Sequence, residues 1–458
     1  MSKQRLLDDG DPYSNLGEDL WSSILSLLPV HEAVRTSILS RTWRNAWMQI
    51  PHLNICFITM CEQLKWDYNT DSEKWRHVVG KILTSHTGHI QSCIIDPCGS
   101  NTNRRCLDGW ISILIEKSIS ELTLKFNHYL SKRSTFRTYR VPHCLFSCKS
   151  LRSLELSGCF LRAKTDLSFG CNKLRVMKLD WNRISLKFLH ALLHQCSSLE
   201  TLEVIKCSLG GFDRKESILS INAPHLKVLH ITGSHDMSQN IAWKLVLINA
   251  PRLKRLDLGM LNFKESHITA RELEIFNGFM RGFYDGQINL KYEALKMEAI
   301  LNSIANVKAL MLHLPNSNEC LSAGSFQIPT FMKLKELMIS LDWTEERGVI
   351  FLVSMLRRCP YLAVLILRGR RESKLSLGFD YWEKQERFNC FNHTLRRVTI
   401  EWKSNYEIEF AKYVLAKAKV LKHLTICRMS SQPLEEEVLA SLPLVERASR
   451  NAKLTIRG

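Results

Sequence analysis

Closely spaced histidines are the side chains of this sequence that could support metal chemistry. His190 and His194 lie four residues apart in the segment HALLH, so on a helix they would face one side and could share a metal ion. His86 and His89 form a second close pair. No third ligand can be identified for either pair. We therefore interpret these histidines as surface or packing residues and predict no metal site.

Catalytic signatures are absent from the sequence. It has no nucleophile elbow, no glycine-rich phosphate loop and no cysteine–histidine cluster with metal spacing. Acidic runs at residues 345–346 and 435–437 are typical of solvated faces. We predict that the protein is not an enzyme and has no cofactor.

The cysteines favour a reducing compartment. There are 15, an odd number, and no two of them form a CxxC pair. Several recur at fixed slots of a repeat described below, which explains them as small packing residues: Cys148, Cys159, Cys171, Cys196, Cys207 and Cys359. No apolar run has the length of about 18 residues that a membrane helix needs. We expect a soluble protein of the cytoplasm or nucleus.

The net charge of +18 favours acidic partners, nucleic acid or an anionic surface. Much of it recurs at one position of the same repeat, where stacked copies would line up along one edge: Arg152, Arg175, Lys227, Lys254, Lys308, Lys335, Arg396 and Lys422. Two interpretations are open. The row is either a solvated rim that discourages edge pairing, or a stripe facing an acidic, phosphorylated or nucleic-acid partner.

One short pattern organises the chain from residue 50 onward: apolar, two residues, apolar, one residue, apolar. Clear copies begin at Leu151, Leu174, Leu199, Leu226, Leu253, Val307, Leu334, Leu362, Leu395 and Leu421. Weaker copies begin at Ile50, Ile90, Ile119, Ala270 and Asn451. A recurrence every ~25–30 residues indicates a leucine-rich-repeat solenoid, in which each copy contributes one half-buried strand.

Helical patterns lie between the strands, at residues 186–195, 349–358 and 407–419. A strand and its returning helix cannot bury their own apolar face, so stacking builds one continuous core. The pattern lapses at residues 97–106 and 276–291, and we expect no clear strand in the second interval before Leu290.

The N-terminal stretch 16–47 carries helical patterns of its own. The first covers residues 17–28, and Pro29 ends it. A second covers 31–39, and Ser40 would cap a third that places Trp43 and Trp47 one turn apart. So short a module with so many large apolar groups is either a cap on the repeats or a docking unit for a partner.

This stretch resembles an F-box, the module that links substrate receptors to the Skp-type adaptor of cullin ubiquitin ligases. The similarity lies in Asp19-Leu20, Ile24-Leu25-Ser26, Leu28-Pro29, Ala33-Val34, Thr36-Ser37, Leu39-Ser40-Arg41, Trp43-Arg44 and Trp47. The resemblance implies a set of adaptor-binding residues: Leu16, Leu20, Ile24, Leu25, Leu28, Pro29, Val34, Leu39 and Trp43.

The C-terminal end resembles the FBD domain that closes many plant F-box/leucine-rich-repeat proteins. The similarity rests on Val398, Ile400, Glu407, Glu409, the run 411–413, Leu415, Ala418, Lys419, Val420, Leu421, Thr425, Ile426 and the tail from Leu442. The predicted architecture is α/β: a disordered tail at 1–10, a three-helix F-box at 11–52, a curved solenoid at 53–390 with parallel strands inside and helices outside, and an FBD-like domain at 391–458.

A target would meet the concave strand face, whose later repeats are the more apolar. The candidate target-binding residues there are Met311, His313, Met338, Ile366 and Arg368. The resemblance implies the substrate-recognition subunit of a Skp–cullin–F-box (SCF) ubiquitin ligase, with the Skp-type adaptor, cullin through it, and an unknown target protein as partners, and no membrane. The alternative is a scaffold without a ligase role, associated with nucleic acid through its basic surface.

Overall fold

The computed structural model describes residues 18–39, 43–67, 70–97, 104–126, 139–162, 169–209, 218–232, 243–259, 263–279, 290–314, 327–341, 343, 346–369, 379–402, 405–428 and 441–457. Two compact units divide the chain, Met1–Asp213 and Arg214–Gly458. Helices of membrane-spanning length and hydropathy do not occur in the described part of the chain. The tail predicted to be disordered at residues 1–10 lies outside the described residues.

The first unit combines N-terminal helices with a parallel sheet. Its helices are α1 Glu18–Ser26, α2 Val30–Arg35, α3 Phe57–Leu64, α4 Ser72–Ser85, α5 Arg104–Glu116 and α6 Leu186–Gln195. Its strands are β1 His52–Cys56, β2 Ser92–Asp96, β3 Glu121–Lys125, β4 Tyr139–Arg140, β5 Ser153–Ser157, β6 Cys159–Leu161, β7 Val176–Asp180, β8 Arg183–Ile184, β9 Thr201–Ile205 and β10 Ser208–Leu209. The larger sheet runs β1-β2-β3-β5-β7-β9, and a smaller one runs β4-β6-β8-β10.

The second unit also contains a large parallel sheet, a smaller sheet and several helices. Its strands are β11 Ile218–Asn222, β12 Val228–Ile231, β13 Trp243–Asn249, β14 Arg255–Leu258, β15 Phe263–Thr269, β16 Ile275–Phe279, β17 Ala309–His313, β18 Glu336–Leu341, β19 Val364–Gly369, β20 Arg397–Trp402, β21 His423–Arg428 and β22 Lys453–Arg457. Its helices are α7 Leu290–Ser303, α8 Glu346–Arg357, α9 Phe379–Glu383, α10 Asn389–His393 and α11 Asn405–Lys417. The larger sheet runs β12-β14-β16-β17-β18-β19-β20-β21-β22.

Alternation along each strand follows the repeat pattern. In β7, Met177 and Leu179 are buried while Lys178 between them is exposed. Each fully buried apolar side chain of this size contributes about 1.5–3 kcal/mol, so a one-residue slip of register would expose the whole apolar set. The predicted α/β class, with N-terminal helices and a sheet of parallel strands, is confirmed.

Small side chains fill the corners where the chain enters each strand. The residues predicted for these corners are all buried: Cys148, Cys171, Cys196, Ala223, Ala250, Cys359 and Ala418. The Cys171 thiol donates a hydrogen bond to the Phe146 carbonyl at 2.8 Å. Burial raises the pKa of the Cys171 and Cys196 thiols to about 12, so both stay protonated at neutral pH.

An aromatic cluster builds the core of the second unit under α9, α10 and α11. The Trp382 ring meets Phe410 edge-on at 4.7 Å between centroids, and the rings of Phe391 and Tyr413 lie 5.7 Å apart. All four side chains are buried. Aromatic pairs of this geometry contribute about 0.5–1.5 kcal/mol beyond their area, so they hold α9 and α10 against α11.

Several elements differ from the sequence-based expectation. The third N-terminal helix is a 3₁₀ turn, Ala46–Gln49, and residues 40–42 before it lie outside the described residues. The interval 276–291 contains most of β16, because Phe276 is buried where other repeats have leucine. A Cβ atom added to Gly278 would lie 2.5 Å from that ring, so glycine is required beside it. The small sheet β11-β13-β15 was not predicted.

A buried asparagine ties neighbouring repeats of the first unit together. The Asn182 side chain is 1% exposed; its Nδ2 donates to the Leu156 carbonyl at 2.7 Å, and its Oδ1 accepts from the Cys159 amide at 2.6 Å. Both bonds lie in the buried interior, so the asparagine links two backbone segments that precede it in the chain.

We expect Asn182→Ala to lower the free energy of unfolding by about 1–3 kcal/mol, because it removes two buried hydrogen bonds to the backbone. Asn172→Ala, at an exposed position of the same unit, is the matched control and should change stability by less than about 0.5 kcal/mol. Urea unfolding followed by circular dichroism measures both. Equal effects of the two substitutions would contradict the role of Asn182.

Candidate partner-binding surfaces

The N-terminal module has a small core of its own. Leu25 and Ala33 are fully buried, and Trp43 and Trp47 are nearly so. The rings of Trp21 and Trp43 stack at 6.1 Å between centroids, so α1 is fixed against the turn that follows α2. This core fixes which faces of the short helices point outward.

The nine residues predicted to bind an adaptor fall into different environments. Leu20, Ile24 and Leu39 are exposed, by 55%, 43% and 67%. Half-buried positions are Leu28, Pro29 and Val34. Leu16 lies outside the described residues.

Two members of this set, Leu25 and Trp43, are buried, with side chains 0% and 8% exposed. Both fill the core of the module. The sequence pattern identified them as apolar residues of a helical face, but a short module needs part of that face for its own packing.

Two exposed apolar residues were missed. Leu27 is 85% exposed and Ile38 is 86% exposed. Leu20, Ile24 and Leu27 are spaced by four and three residues, which places them on one side of α1 and the turn after it. That spacing was readable from the sequence. We define the N-terminal apolar face as Leu20, Ile24, Leu27, Ile38 and Leu39.

The predicted target-binding residues lie on neighbouring strands of the second unit. Met311, Met338 and Ile366 occupy equivalent positions of β17, β18 and β19 and are half-buried. His313 and Arg368 lie two positions further along their strands. The structure therefore brings all five together on the open face of the sheet.

Hydrogen bonds already engage the polar members of this set. His313 Nδ1 and Ser340 Oγ lie 3.0 Å apart, and Arg368 Nε donates to Glu401 Oε1 at 2.7 Å. Glu401 was not singled out from the sequence, because it follows Arg368 by 33 residues. The ion pair offsets the charge of Arg368, so the two methionines and Ile366 give this part of the face an apolar character.

The same row of the sheet begins with a polar group. Asp257 is 6% exposed, and its Oδ2 accepts from Asn277 Nδ2 at 2.8 Å. His230 Nε2 lies 3.5 Å from that oxygen. Since Asp257, Asn277 and Met311 pair in register, the row passes from polar to apolar across the unit.

The first unit carries a charged open face. Lys125 Nζ lies 3.2 Å from Glu155 Oε1, and Lys178 Nζ lies 3.8 Å from Glu203 Oε2. Opposite charges on neighbouring strands neutralise one another, so this face offers alternating rather than uniform charge.

The histidine pairs do not form a cation site. His190 and His194 are both exposed on α6, and His86 is buried with its Nε2 2.9 Å from the Ile50 carbonyl. Burial lowers the pKa of His86. Within the described residues, His, Cys, Asp and Glu side chains nowhere gather into a group of three or more that could hold a metal ion.

Comparison with known proteins gives two domain matches. Residues 82–453 match the family model described as At1g61320/AtMIF1, LRR domain, and residues 13–52 match the F-box domain model. The F-box match contains the N-terminal apolar face, and the LRR match contains the second unit's strand face. These findings confirm the resemblance to F-box and leucine-rich-repeat proteins that the sequence indicated.

Similar full-length proteins occur in Arabidopsis thaliana. F-box/FBD/LRR-repeat protein At3g52680 is 27% identical over 470 residues, covering 99% of this chain and 94% of that protein. F-box/FBD/LRR-repeat protein At5g56420 is 27% identical over 460 residues, covering 97% and 98%. F-box protein At1g80960 is 30% identical over 227 residues, covering 49% of this chain and 45% of its own length.

The two leucines at the end of α1 should respond differently to truncation. We expect Leu25→Ala to cost about 2–5 kcal/mol of unfolding free energy, because it opens a cavity in the module core. Leu27→Ala should cost less than about 0.5 kcal/mol, because its side chain is 85% exposed. Thermal or urea unfolding of the full chain compares them. A large loss for Leu27→Ala would contradict the assignment of this residue to the surface.

Proposed function

We propose that this chain, which belongs to the family of the At1g61320/AtMIF1 leucine-rich-repeat domain and carries an F-box domain, is the target-recognition subunit of an SCF ubiquitin ligase. The pairing of an F-box with leucine-rich repeats serves protein–protein interaction. In this proposal the N-terminal module docks a Skp-type adaptor and through it cullin. The repeats hold a target protein. The complex would act in the cytoplasm or nucleus.

The observation that carries the proposal is the N-terminal apolar face. Each of its side chains is at least 43% exposed, and Leu27 and Ile38 exceed 80%. Other residues, among them Leu25, Ala33 and Trp43, form the core of the module, so the exposed side chains do not contribute to its packing. Five exposed apolar residues between positions 20 and 39 of one short module indicate a surface that a partner covers.

The free energy available from burying these side chains fits a docking role. Fully burying one Leu or Ile side chain is worth about 1.5–3 kcal/mol. Several such side chains therefore supply binding energy comparable to the cost of association, about 4–15 kcal/mol, and contribute a large share of what a stable complex needs. An F-box domain is the kind of module that contacts a Skp-type adaptor, which makes that adaptor the partner we propose.

Target recognition is the proposed role of the second unit's open face. Met311, Met338 and Ile366 form an apolar strip on three adjacent strands, bounded by the Arg368–Glu401 ion pair. A target held there would be brought close to a conjugating enzyme recruited elsewhere in the complex, which raises the effective concentration of its lysines. The chain's contribution to ubiquitin transfer is then positioning, without chemistry by its own side chains.

A second candidate function is a repeat scaffold that binds nucleic acid without a ligase role. The observation in its favour is the net charge of +18. Binding of this kind depends steeply on salt, because each phosphate contact releases counterions.

The decisive variant for the ligase proposal changes only exposed side chains. We expect Leu27→Asp/Ile38→Asp to weaken binding of the full chain to a purified plant Skp-type adaptor by at least about tenfold, because each change places a charge where the partner would bury an apolar group. Asn45→Asp/Gln49→Glu adds the same charge at exposed positions of the same module and is the matched control. Isothermal titration measures the affinities, and circular dichroism verifies folding.

Two results would overturn this assignment. If the well-folded wild type does not bind the adaptor, the ligase role fails. If the double variant binds as well as the wild type, docking uses another surface. A salt titration with duplex DNA would follow the first result, and a steep loss of affinity with salt would favour the scaffold.

A further inference from the structure

The backbone of the second unit stacks one residue of each repeat into a continuous row where the strands begin. The amide of Lys254 donates to the Lys227 carbonyl at 2.8 Å, and the same bond links each following member to the one before it at 2.7–2.9 Å. The members in order are Lys227, Lys254, Glu274, Lys308, Lys335, Ala363, Arg396, Lys422 and Lys453. Because neighbouring strands lie ~4.8 Å apart, the row spans about 38 Å.

This row is strongly basic. All of its Lys and Arg side chains are exposed, and we call them the basic edge: Lys227, Lys254, Lys308, Lys335, Arg396, Lys422 and Lys453. Further exposed basic residues flank them within a few positions: Arg252, Arg255, Arg271, Lys333, Arg397, Lys419, His423 and Arg450. Among the described residues at these positions, the acidic ones are Glu272, Glu274 and Glu336.

One acidic member of the row pairs with the basic edge. Glu274 pairs with Lys308, with 2.8 Å between Oε1 and Nζ. Within the part of the chain that the structure describes, Lys335, Arg396, Lys422 and Lys453 have no carboxylate within ion-pair distance. The half of the edge from Lys335 to Lys453 therefore presents like charges, interrupted at Ala363, that a partner of opposite charge would complement.

Two large apolar side chains interrupt the middle of the edge. Met332 and Tyr361 are 56% and 51% exposed; Met332 lies three residues before Lys335, and Tyr361 lies two residues before Ala363. Ala363, the uncharged member of the row, is therefore next to exposed apolar side chains. A partner that matches the edge carries negative charge along its length and one large apolar side chain near its centre.

We propose that the basic edge binds an extended Asp/Glu-rich segment of a target protein, with a central apolar side chain against Met332 and Tyr361. The inference deepens the proposed target-binding role of the repeats and rests on it. An extended segment of about 12 residues reaches ~40 Å, the length of the edge. Single-stranded nucleic acid fits less well, since such binders stack successive bases on several aromatic side chains, and Tyr361 is the exposed aromatic among the described residues of the edge.

The test uses the full chain and a fluorescent Glu-rich peptide of about 12 residues with Phe at its centre. A peptide with Gln in place of Glu is the ligand control. Lys335→Glu/Lys422→Glu reverses two exposed charges of the edge, and Lys384→Glu/Arg387→Glu makes the same net change between α9 and α10, at exposed positions away from the strand starts. Fluorescence anisotropy at low and physiological salt measures binding, and circular dichroism verifies folding.

We expect the Glu peptide to bind at least about tenfold more tightly than the Gln peptide. The edge reversal should weaken the Glu peptide by about tenfold or more, and the control reversal by less than about twofold. Ala363→Lys supplies the missing charge and should tighten binding by about threefold. A gain of affinity is not explained by damage to the fold.

Equal weakening by the two reversals would show a net-charge effect and overturn the proposal. So would unchanged affinity of Ala363→Lys, or equal binding of the Glu and Gln peptides. A single-stranded RNA of similar length that binds more tightly and loses more affinity on reversal of the edge would reassign this surface to nucleic acid. None of these measurements involves the adaptor, so failure here is distinguishable from failure of adaptor docking.

Discussion

The hydrogen bonds between parallel strands of successive repeats are the constraint on which the rest of the structure depends. Each strand takes its register from the strand before it, so residues at equivalent positions of different repeats stack into rows. A row that is apolar on the inward side becomes core. A row on the outward side becomes a continuous strip of surface, whose chemical character follows the residue type at that position of each repeat. The apolar strip at Met311 and the basic edge at Lys335 are both consequences of this register.

The N-terminal module differs from the repeats in how many of its apolar side chains it buries. It is too short to bury all of its apolar side chains, although Leu25, Val30, Ala33, Trp43 and Trp47 are buried in its core. The remaining apolar side chains stay in water on the outside of α1 and around residue 38. The repeats thus satisfy their apolar residues by stacking on one another, whereas the module leaves a share of its own for a partner. That contrast is the physical basis for assigning docking to the module and recognition to the repeats.

Most of the strands could be predicted from the sequence, because the apolar positions of the repeat mark which residues are buried. Even the weak copies at Ile50, Ile90 and Ile119 precede real strands, β1, β2 and β3. The F-box and repeat resemblance is confirmed by the matched families. The adaptor-binding residues and the domain boundaries stay predictions.

What the sequence did not reveal depends on contacts between distant residues. Periodicity placed Leu25 on the apolar stripe of the first helix and left Leu27 out, but only the packing of the module shows that Leu25 is covered and Leu27 exposed. Asn182 has no repeating signature, since its two hydrogen bonds reach residues more than twenty positions away. Glu401 is opposite Arg368 because of strand register, which a single sequence does not state. The strands β11, β13 and β15 replace the helices of other repeats, and a β-branched alternation such as that of residues 243–248 was the missed signal.

Hydrogen–deuterium exchange of the full chain, with and without a purified Skp-type adaptor, tests the central claim most directly. We expect the adaptor to slow hydrogen exchange in α1 and at residues 36–39, and to leave the exchange of the second unit's strands unchanged. Protection of those strands, or adaptor binding without any protection in the N-terminal module, would contradict it.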